Sequence, residues 1–225
     1  MRGRDAIFAS IRKSLRVAGD DGKRRETATA RLEAHPRGVI PARGQKPDGE
    51  RLALFTQMVE AAKASVVVLD RKEDIPSAVA AYLRSKNLPQ SVRHGEDERL
   101  ALIPWAKEGT LEVTKGASDG SHLASISYSF GAVAESGTLV MVSGAGNPTT
   151  LNFLPDHHLV VVDEKDIAGD YETVWDKIRE CFGAHGMPRA VNWITGPSRS
   201  GDIEQTHLLG AHGPRSLHVL VVRSS

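Results

Sequence analysis

The sequence has one cysteine, few aromatic residues and no long apolar run. Cys181 is the only cysteine among the 225 residues, which excludes an internal disulfide. It also excludes an iron–sulfur cluster held by this chain alone, since such a cluster typically needs about four thiolates. The apolar runs, such as those at 159–162 and 220–222, are far below the roughly 18 residues that span a bilayer. Because the N-terminus also lacks the apolar core of a signal peptide, we expect a cytoplasmic protein with no membrane span.

Neither sign of charge dominates the whole chain, but the distribution is uneven. The formal net charge is +1, while residues 1–50 carry 12 Lys and Arg against 7 Asp and Glu. Phe8 is the only aromatic residue in this basic segment, so the segment offers little for base stacking and we expect no nucleic-acid binding. A basic arm on a mildly acidic body suits contact with another subunit, either a docked partner or a second copy in a homodimer.

The pattern divides the chain into an N-terminal helix and arm over residues 1–50 and an α/β domain over residues 51–225. Ile7, Ile11 and Leu15 are four residues apart and form one apolar helical stripe. Residues 18–50 have no such periodicity and contain three prolines, which predicts an extended basic arm.

From Leu52 onward, apolar strands alternate with amphipathic helices. This alternation implies right-handed crossovers and a mostly parallel central sheet with flanking helices. Ligands of such sheets bind beyond the carboxyl ends of the strands. The predicted strands lie at 65–70, 91–94, 111–114, 138–142, 159–163, 190–194 and 217–222.

The segment Ala134-Glu135-Ser136-Gly137-Thr138 comes just before a predicted strand. A carboxylate beside two hydroxyls could serve as a general base, a nucleophile or an acceptor for a ligand hydroxyl. The structural alternative is that Glu135 caps backbone amides and Gly137 forms a turn.

A glycine-rich loop at residues 143–150 joins a strand to a short predicted helix. Asn147 suits the N-cap of that helix and Pro148 its first position. The loop does not fit the dinucleotide-binding fingerprint, because Thr149 occupies the third glycine position.

The most specific segment follows the strand at 190–194 and reads Gly196-Pro197-Ser198-Arg199-Ser200-Gly201-Asp202. Arg199 could bind a carboxylate or phosphate, with serine hydroxyls adding hydrogen bonds. Alternatively, Arg199 forms an internal ion pair with Asp202 or Glu204. A second basic turn, with His212 and Arg215, comes before the last strand.

A metal site is not indicated, despite nine histidines. His157 and His158 are adjacent at the start of a strand, so their side chains point to opposite faces and cannot bind one ion together. Cys181 is expected to lie in the core, on an apolar face of a helix.

In their order along the chain, these segments resemble the LUD-domain family, and within it the lactate utilisation protein C branch. The resemblance covers residues 52–222 and is strongest in the last ninety or so residues. It implies a NagB/RpiA/CoA-transferase-like α/β fold and a role in oxidising L-lactate to pyruvate. It also implies partner subunits that carry the iron–sulfur clusters, with no cofactor in this chain. The residues that match the family's motifs are Glu135, as a catalytic residue, and, for ligand binding, Thr138, Ser198, Arg199, Asp202 and His212.

Three functions are consistent with these features. The first is a subunit without clusters in a lactate-oxidising system, with a pocket for a small carboxylate or other anion. The second is an independent enzyme acting on an acyl, CoA or sugar-phosphate substrate, with Glu135 as base or nucleophile. The third is a regulatory module that binds a carboxylate without catalysis.

Overall fold

The structure, a computed structural model, describes residues 3–17, 21–183, 186–201 and 207–223. The chain forms two compact units, Met1–Val39 and Ile40–Ser225. The second unit therefore begins eleven residues before residue 51, where the sequence places the start of the α/β domain.

The first unit contains two helices, α1 (Gly3–Leu15) and α2 (Gly22–Ala34), and neither has a buried residue. Helix α1 is where the apolar stripe predicts it. The prediction of an extended arm is wrong for residues 22–34. Helix α2 has no apolar stripe, but it is rich in Ala, Arg and Glu, which favour helix without burial, and the Asp21 side chain caps it by accepting from the Arg24 amide at 3.1 Å.

The second unit contains five further α-helices and twelve strands within its described residues. The helices are α3 (Asp48–Ala61), α4 (Ile75–Ser85), α5 (Glu98–Ala101), α6 (Thr149–Phe153) and α7 (Tyr171–Phe182). The strands are β1 (Ser65–Leu69), β2 (Ser91–His94), β3 (Glu112–Lys115), β4 (Ala124–Tyr128), β5 (Gly131–Val133), β6 (Thr138–Val142), β7 (His157–Asp163), β8 (Ile167–Ala168), β9 (Val191–Ile194), β10 (Arg199–Gly201), β11 (His207–Leu209) and β12 (Ser216–Val222).

The central sheet has six parallel strands in the order β1-β12-β7-β4-β2-β3. The predicted α/β fold with a mostly parallel central sheet and flanking helices is confirmed. Strands β7 and β12 lie near its middle and are almost continuously apolar, as expected for strands covered on both faces.

Strands β6 and β9, which the sequence assigns to the central sheet, belong instead to a second sheet. Its order is β8-β5-β6-β9, and β6 pairs antiparallel with both β5 and β9. The chain turns back tightly at residues 134–137 between β5 and β6, which allows antiparallel pairing without a crossover helix.

The core has a layer on each face of the central sheet, because side chains alternate along each strand. On one face, Leu159 and Val161 of β7 pack with Leu83 of α4. On the other face, Val160 and Val162 pack with the second sheet and with Phe55 of α3.

Strand β4, at the centre of the sheet, has no counterpart in the predicted strands. All five of its residues are buried, but Ser125 and Ser127 interrupt the apolar pattern that would predict a core strand. Their hydroxyls are satisfied locally: Ser125 Oγ donates to the Leu151 carbonyl at 2.6 Å, and Ser127 Oγ lies 3.1 Å from His158 Nε2. Buried hydroxyls with partners are compatible with a core strand.

Residues 40–50 pack against the body of the second unit. Gly44 and Gly169 meet backbone to backbone, so closely that a side chain on either would collide with the other. Gln45 Nε2 also donates to Asp170 Oδ2 at 2.9 Å. Within the described residues, no helix is long and apolar enough to cross a membrane.

Candidate functional site

A cavity of about 540 Å³ lies where α6, β9 and two turns of the second unit meet. Three residues singled out from the sequence, Ser198, Arg199 and His212, line it together. The wall is completed by Asn152, Phe153, residues 191–196, Gly213 and Pro214.

The two turns that carry Ser198 and His212 are joined by hydrogen bonds. Ser198 N donates to the Pro214 carbonyl at 2.8 Å, and the Ser198 carbonyl accepts from Gly210 N at 3.2 Å. The Ser198 hydroxyl also accepts from His212 N at 3.3 Å. Two motifs that are separate in the sequence therefore form one side of the cavity.

Gly196 is required for this arrangement. Its φ is +76°, and a side chain there would collide with the Ala62 carbonyl at the end of α3. Only glycine combines this backbone conformation with so close an approach.

Arg199 supplies the positive charge of the cavity. It is solvent-exposed, and no carboxylate of the described residues forms an ion pair with it. Asp202 and Glu204, its alternative partners, lie outside the described residues. A guanidinium can bind a carboxylate through charge-assisted hydrogen bonds.

Thr138 is fully buried and does not line the cavity. Its Oγ1 lies 2.6 Å from Thr195 Oγ1, 2.7 Å from Ser136 Oγ and 2.8 Å from the Tyr171 hydroxyl. Because Thr195 lines the cavity, this cluster of four hydroxyls supports the cavity wall from behind.

The structure does not bring Glu135 into the cavity. Its side chain is almost wholly buried, and Oε2 lies 3.5 Å from Arg43 Nε in the segment before α3. Oε2 has no hydrogen-bond partner among the described residues. A catalytic role for Glu135 stays a prediction.

Sequence reasoning missed Asn152, Phe153, Asn192 and Trp193, which supply much of the wall. Each lies within an apolar helix or strand, where it reads as core. The signal that could have found them is an asparagine in an apolar run, since a buried amide must find hydrogen-bond partners.

A buried histidine supports the wall behind Asn152. His158 Nε2 lies 3.1 Å from Ser127 Oγ, which in turn lies 3.5 Å from Asn152 Oδ1. Burial lowers the pKa of His158 to about 3, so the imidazole is neutral at pH 7. The His157 side chain lies on the opposite face of β7, as predicted, and its Nδ1 is 2.9 Å from the Tyr82 hydroxyl.

The cavity adjoins the amino ends of two central strands, because Phe153 comes just before β7 and Pro214 just before β12. The sequence places a site at the carboxyl ends instead. There, Asp163 accepts from the Tyr128 hydroxyl at 2.6 Å and from Lys72 Nζ at 3.2 Å, and the Arg99 guanidinium lies 4.0 Å from the Tyr128 ring centre. These groups satisfy one another and form an ion-pair network.

Two local predictions are wrong. Cys181 is exposed: it lies in the last turn of α7, beyond Val174 and Ile178, the buried residues of that helix. Asn147 does not cap α6; Pro148 is its N-cap residue, and Asn147 Nδ2 donates to the Val142 carbonyl at 3.3 Å.

The loop at residues 143–147 packs closely against Gly95. A side chain on Gly95 would collide with the Gly146 backbone, and Glu96 N donates to the Ala145 carbonyl at 2.9 Å. Within the described part of the chain, no three His, Cys, Asp or Glu side chains are grouped so that they could hold a metal ion.

Comparison with known proteins gives one family and several relatives. The LUD domain family model matches residues 52–222. Lactate utilization protein C of Geobacillus kaustophilus is 32% identical over 181 residues, covering 75% of this chain and 73% of that protein. Lactate utilization protein C of Geobacillus sp. is 37% identical over 98 residues, and an uncharacterized protein of Neisseria meningitidis is 31% identical over 145 residues. These two matches span 41% and 61% of those relatives' lengths.

A solved structure supports the fold. The crystal structure of a DUF162 family protein from Deinococcus radiodurans superposes with a TM-score of 0.60 at 23% sequence identity. The superposition covers 79% of this chain and 99% of that one.

Proposed function

This chain belongs to the LUD domain family, and from that premise we propose that it acts in lactate utilisation, as the subunit without clusters of a system that oxidises L-lactate to pyruvate. Relatives named Lactate utilization protein C, 31–37% identical where they align, support the role in lactate utilisation. The subunit assignment and the reaction are part of the proposal.

The observation that carries the proposal is the cavity with Arg199, Ser198 and His212 on one side. Lactate and pyruvate are monocarboxylates, and a guanidinium is a suitable partner for one carboxylate. Phe153, which also lines the cavity, supplies apolar contact for the carbon chain. The site therefore has the composition of a pocket that binds a small organic anion.

Iron–sulfur partners are part of the proposal because the resemblance to the lactate utilisation protein C branch implies them, and the single, exposed cysteine of this chain is consistent with that division. Four-thiolate clusters need cysteines from elsewhere. The first unit is suited to a docking role: α1 exposes Ile7, Phe8, Ile11 and Leu15 in a segment with excess positive charge. Exposed apolar side chains beside basic ones are typical of a surface that binds another protein.

Replacing Arg199 by Ala tests the pocket. We expect binding of L-lactate and pyruvate to weaken by about 1.5–3 kcal/mol, the range for a hydrogen bond to a charged group. Melting temperature measured against ligand concentration gives the affinities.

Arg189→Ala is the matched control, because Arg189 is also exposed but does not line the cavity. Its affinities should equal those of the wild type. If Arg199→Ala binds both acids as tightly as the wild type, the pocket assignment is wrong.

A further inference from the structure

Two amides on the inner wall of the cavity have unpaired N–H groups. Asn152 is fully buried and Asn192 is half-buried, and both line the cavity. Neither Nδ2 atom has an acceptor among the described residues. Leaving a buried donor unpaired is unfavourable, so an acceptor that enters the cavity would recover this free energy.

The contacts behind Asn152 determine which way its amide points. If His158 carries its proton on Nε2, it donates to Ser127 Oγ, and the Ser127 hydroxyl is then free to donate to Asn152 Oδ1. This leaves only a lone pair, on His158 Nδ1, without a partner. The other tautomer would bury an unpaired ring N–H, which costs more. The chain His158–Ser127–Asn152 therefore holds the Asn152 oxygen toward Ser127 and leaves the buried Nδ2 of Asn152 without an acceptor among the described residues.

We infer that the cavity selects 2-oxo and 2-hydroxy monocarboxylates, with Arg199 binding the carboxylate and Asn152 donating to the oxygen on carbon 2. This inference rests on the proposed function and names the ligand class of the same site. Ser127 and His158 are positioning residues that act through Asn152.

The selectivity follows from the unpaired donor. An acid with an oxygen on carbon 2 pairs with the Asn152 amide, whereas an acid with a methylene there leaves that donor buried without a partner. Sites built to hydrogen-bond a ligand oxygen discriminate strongly against analogues that lack it. Two monocarboxylates that differ at carbon 2 therefore separate the contribution of Asn152 from that of Arg199.

The experiment compares pyruvate and L-lactate with propionate, which has the same carboxylate but no oxygen on carbon 2. Affinities are measured on the full chain from the ligand-dependent melting temperature. We expect the wild type to bind pyruvate and lactate about tenfold more tightly than propionate, as one hydrogen bond would give. In Asn152→Leu, which removes the amide at similar volume, the ratio should fall to about one.

The positioning role of Ser127 is tested with Ser127→Ala, which removes the hydrogen bond to Asn152 Oδ1 and so allows the Asn152 amide to rotate. The ratio of pyruvate to propionate affinity should fall severalfold, while propionate affinity is unchanged. A loss of stability alone would not move this ratio. Ser129→Ala is the control: Ser129 lies just beyond the same strand, is buried, and its hydroxyl has no partner among the described residues. It should keep the wild-type ratio.

The outcomes distinguish this inference from the proposal on which it rests. If all three acids bind the wild type equally, and Arg199→Ala weakens all of them, the carboxylate pocket stands and the selectivity by Asn152 is wrong. If the wild type binds none of them, both are wrong. If the ratio is tenfold in the wild type but unchanged in Asn152→Leu, the selectivity arises elsewhere and the assignment to Asn152 is overturned.

Discussion

At the scale of single residues, the turn at Gly137 is where the local sequence and the tertiary structure agree most closely. The sequence predicts a turn there, and Gly137 has a φ of +67°. A side chain would also come within 2.5 Å of the Val59 backbone nitrogen in α3. The first requirement can be read from the sequence, but the second depends on a helix some eighty residues earlier.

Gly137→Ala should therefore lower the free energy of unfolding by more than the conformational cost of about 1 kcal/mol. The excess comes from displacing α3. Chemical denaturation of Gly137→Ala and of Gly109→Ala, where the side chain would meet open space, measures the difference. Equal midpoints for the two variants would show that the approach of α3 to the turn is not as close as described.

The residues of the cavity show why site prediction was incomplete. Ser198, Arg199 and His212 belong to polar turns that are conspicuous in the sequence, and they do share one site. Asn152 and Asn192 are hidden in apolar segments, because a buried amide differs from its neighbours only through contacts made across the fold. Glu135 was equally conspicuous, yet it packs against Arg43.

At the scale of elements, the strands near the middle of the central sheet have buried histidines at their amino ends. Burial lowers the pKa of His158 in β7 to about 3, and burial, with the nearby Lys86 ammonium, lowers that of His218 in β12 to about 4. His218 Nδ1 lies 2.8 Å from Ser65 Oγ, and its ring stacks on Tyr82 with the ring centres 4.3 Å apart.

These shifts predict acid sensitivity. Between about pH 6.5 and pH 4 the unfolded chain binds protons at both histidines and the folded chain does not, so stability is complete above pH 6.5 and falls as the pH drops. His218 alone should account for about 3 kcal/mol across this window, at about 1.4 kcal/mol per pKa unit. Denaturation midpoints at a series of pH values measure it.

His218→Gln should flatten the fall in stability between pH 6.5 and 4. Val67→Ala, which lines the same small cavity as His218, is the control: it should lower stability by a similar amount at every pH. A His218→Gln protein as acid-sensitive as the wild type would refute the assignment.

Helix α2 and strand β4 show where pattern reading fails at this scale. Helix α2 has no buried face, so it leaves no apolar period to detect. Strand β4 carries two buried serines, and its place in the core depends on partners in α6 and β7. By contrast, the apolar runs of β7 and β12 predict central strands from the local sequence alone, because a nearly continuous apolar run is typical of a strand that is buried on both faces.

At the scale of the whole molecule, residues 40–50 belong with the second unit. Arg43 and Gln45 contact Glu135 and Asp170, and Gly44 packs on Gly169. The helices of the first unit, by contrast, have no buried residue. We therefore expect stability to depend on the second unit, including residues 40–50, and the proposed docking role to belong to the first unit.

Two truncations test this division. Deleting residues 1–39 should change the free energy of unfolding by less than about 0.5 kcal/mol, as for surface changes, but abolish co-purification of iron–sulfur partners from cells grown on L-lactate. Deleting residues 1–50 should cost at least about 1–3 kcal/mol, because Glu135 and Asp170 lose partners.

The full-length chain is the reference for both measurements. Equal stability of the two truncated proteins would place the unit boundary at residue 50, as the sequence alone suggests. Partners that remain bound after deletion of residues 1–39 would show that the second unit, not the basic segment, holds them.

By itself, the sequence determined the α/β class, the strongest apolar strands, the N-terminal helix and the polar turns that contribute to the cavity. These follow from residue periodicity, backbone preference and charge, which are properties of neighbours along the chain. Only the tertiary structure decided that β6 and β9 form a second sheet, that Glu135 and Arg199 lie apart, and that Asn152 and Asn192 face the same cavity. Strand pairing and buried hydrogen bonds join residues far apart in sequence, and such pairings leave no local pattern.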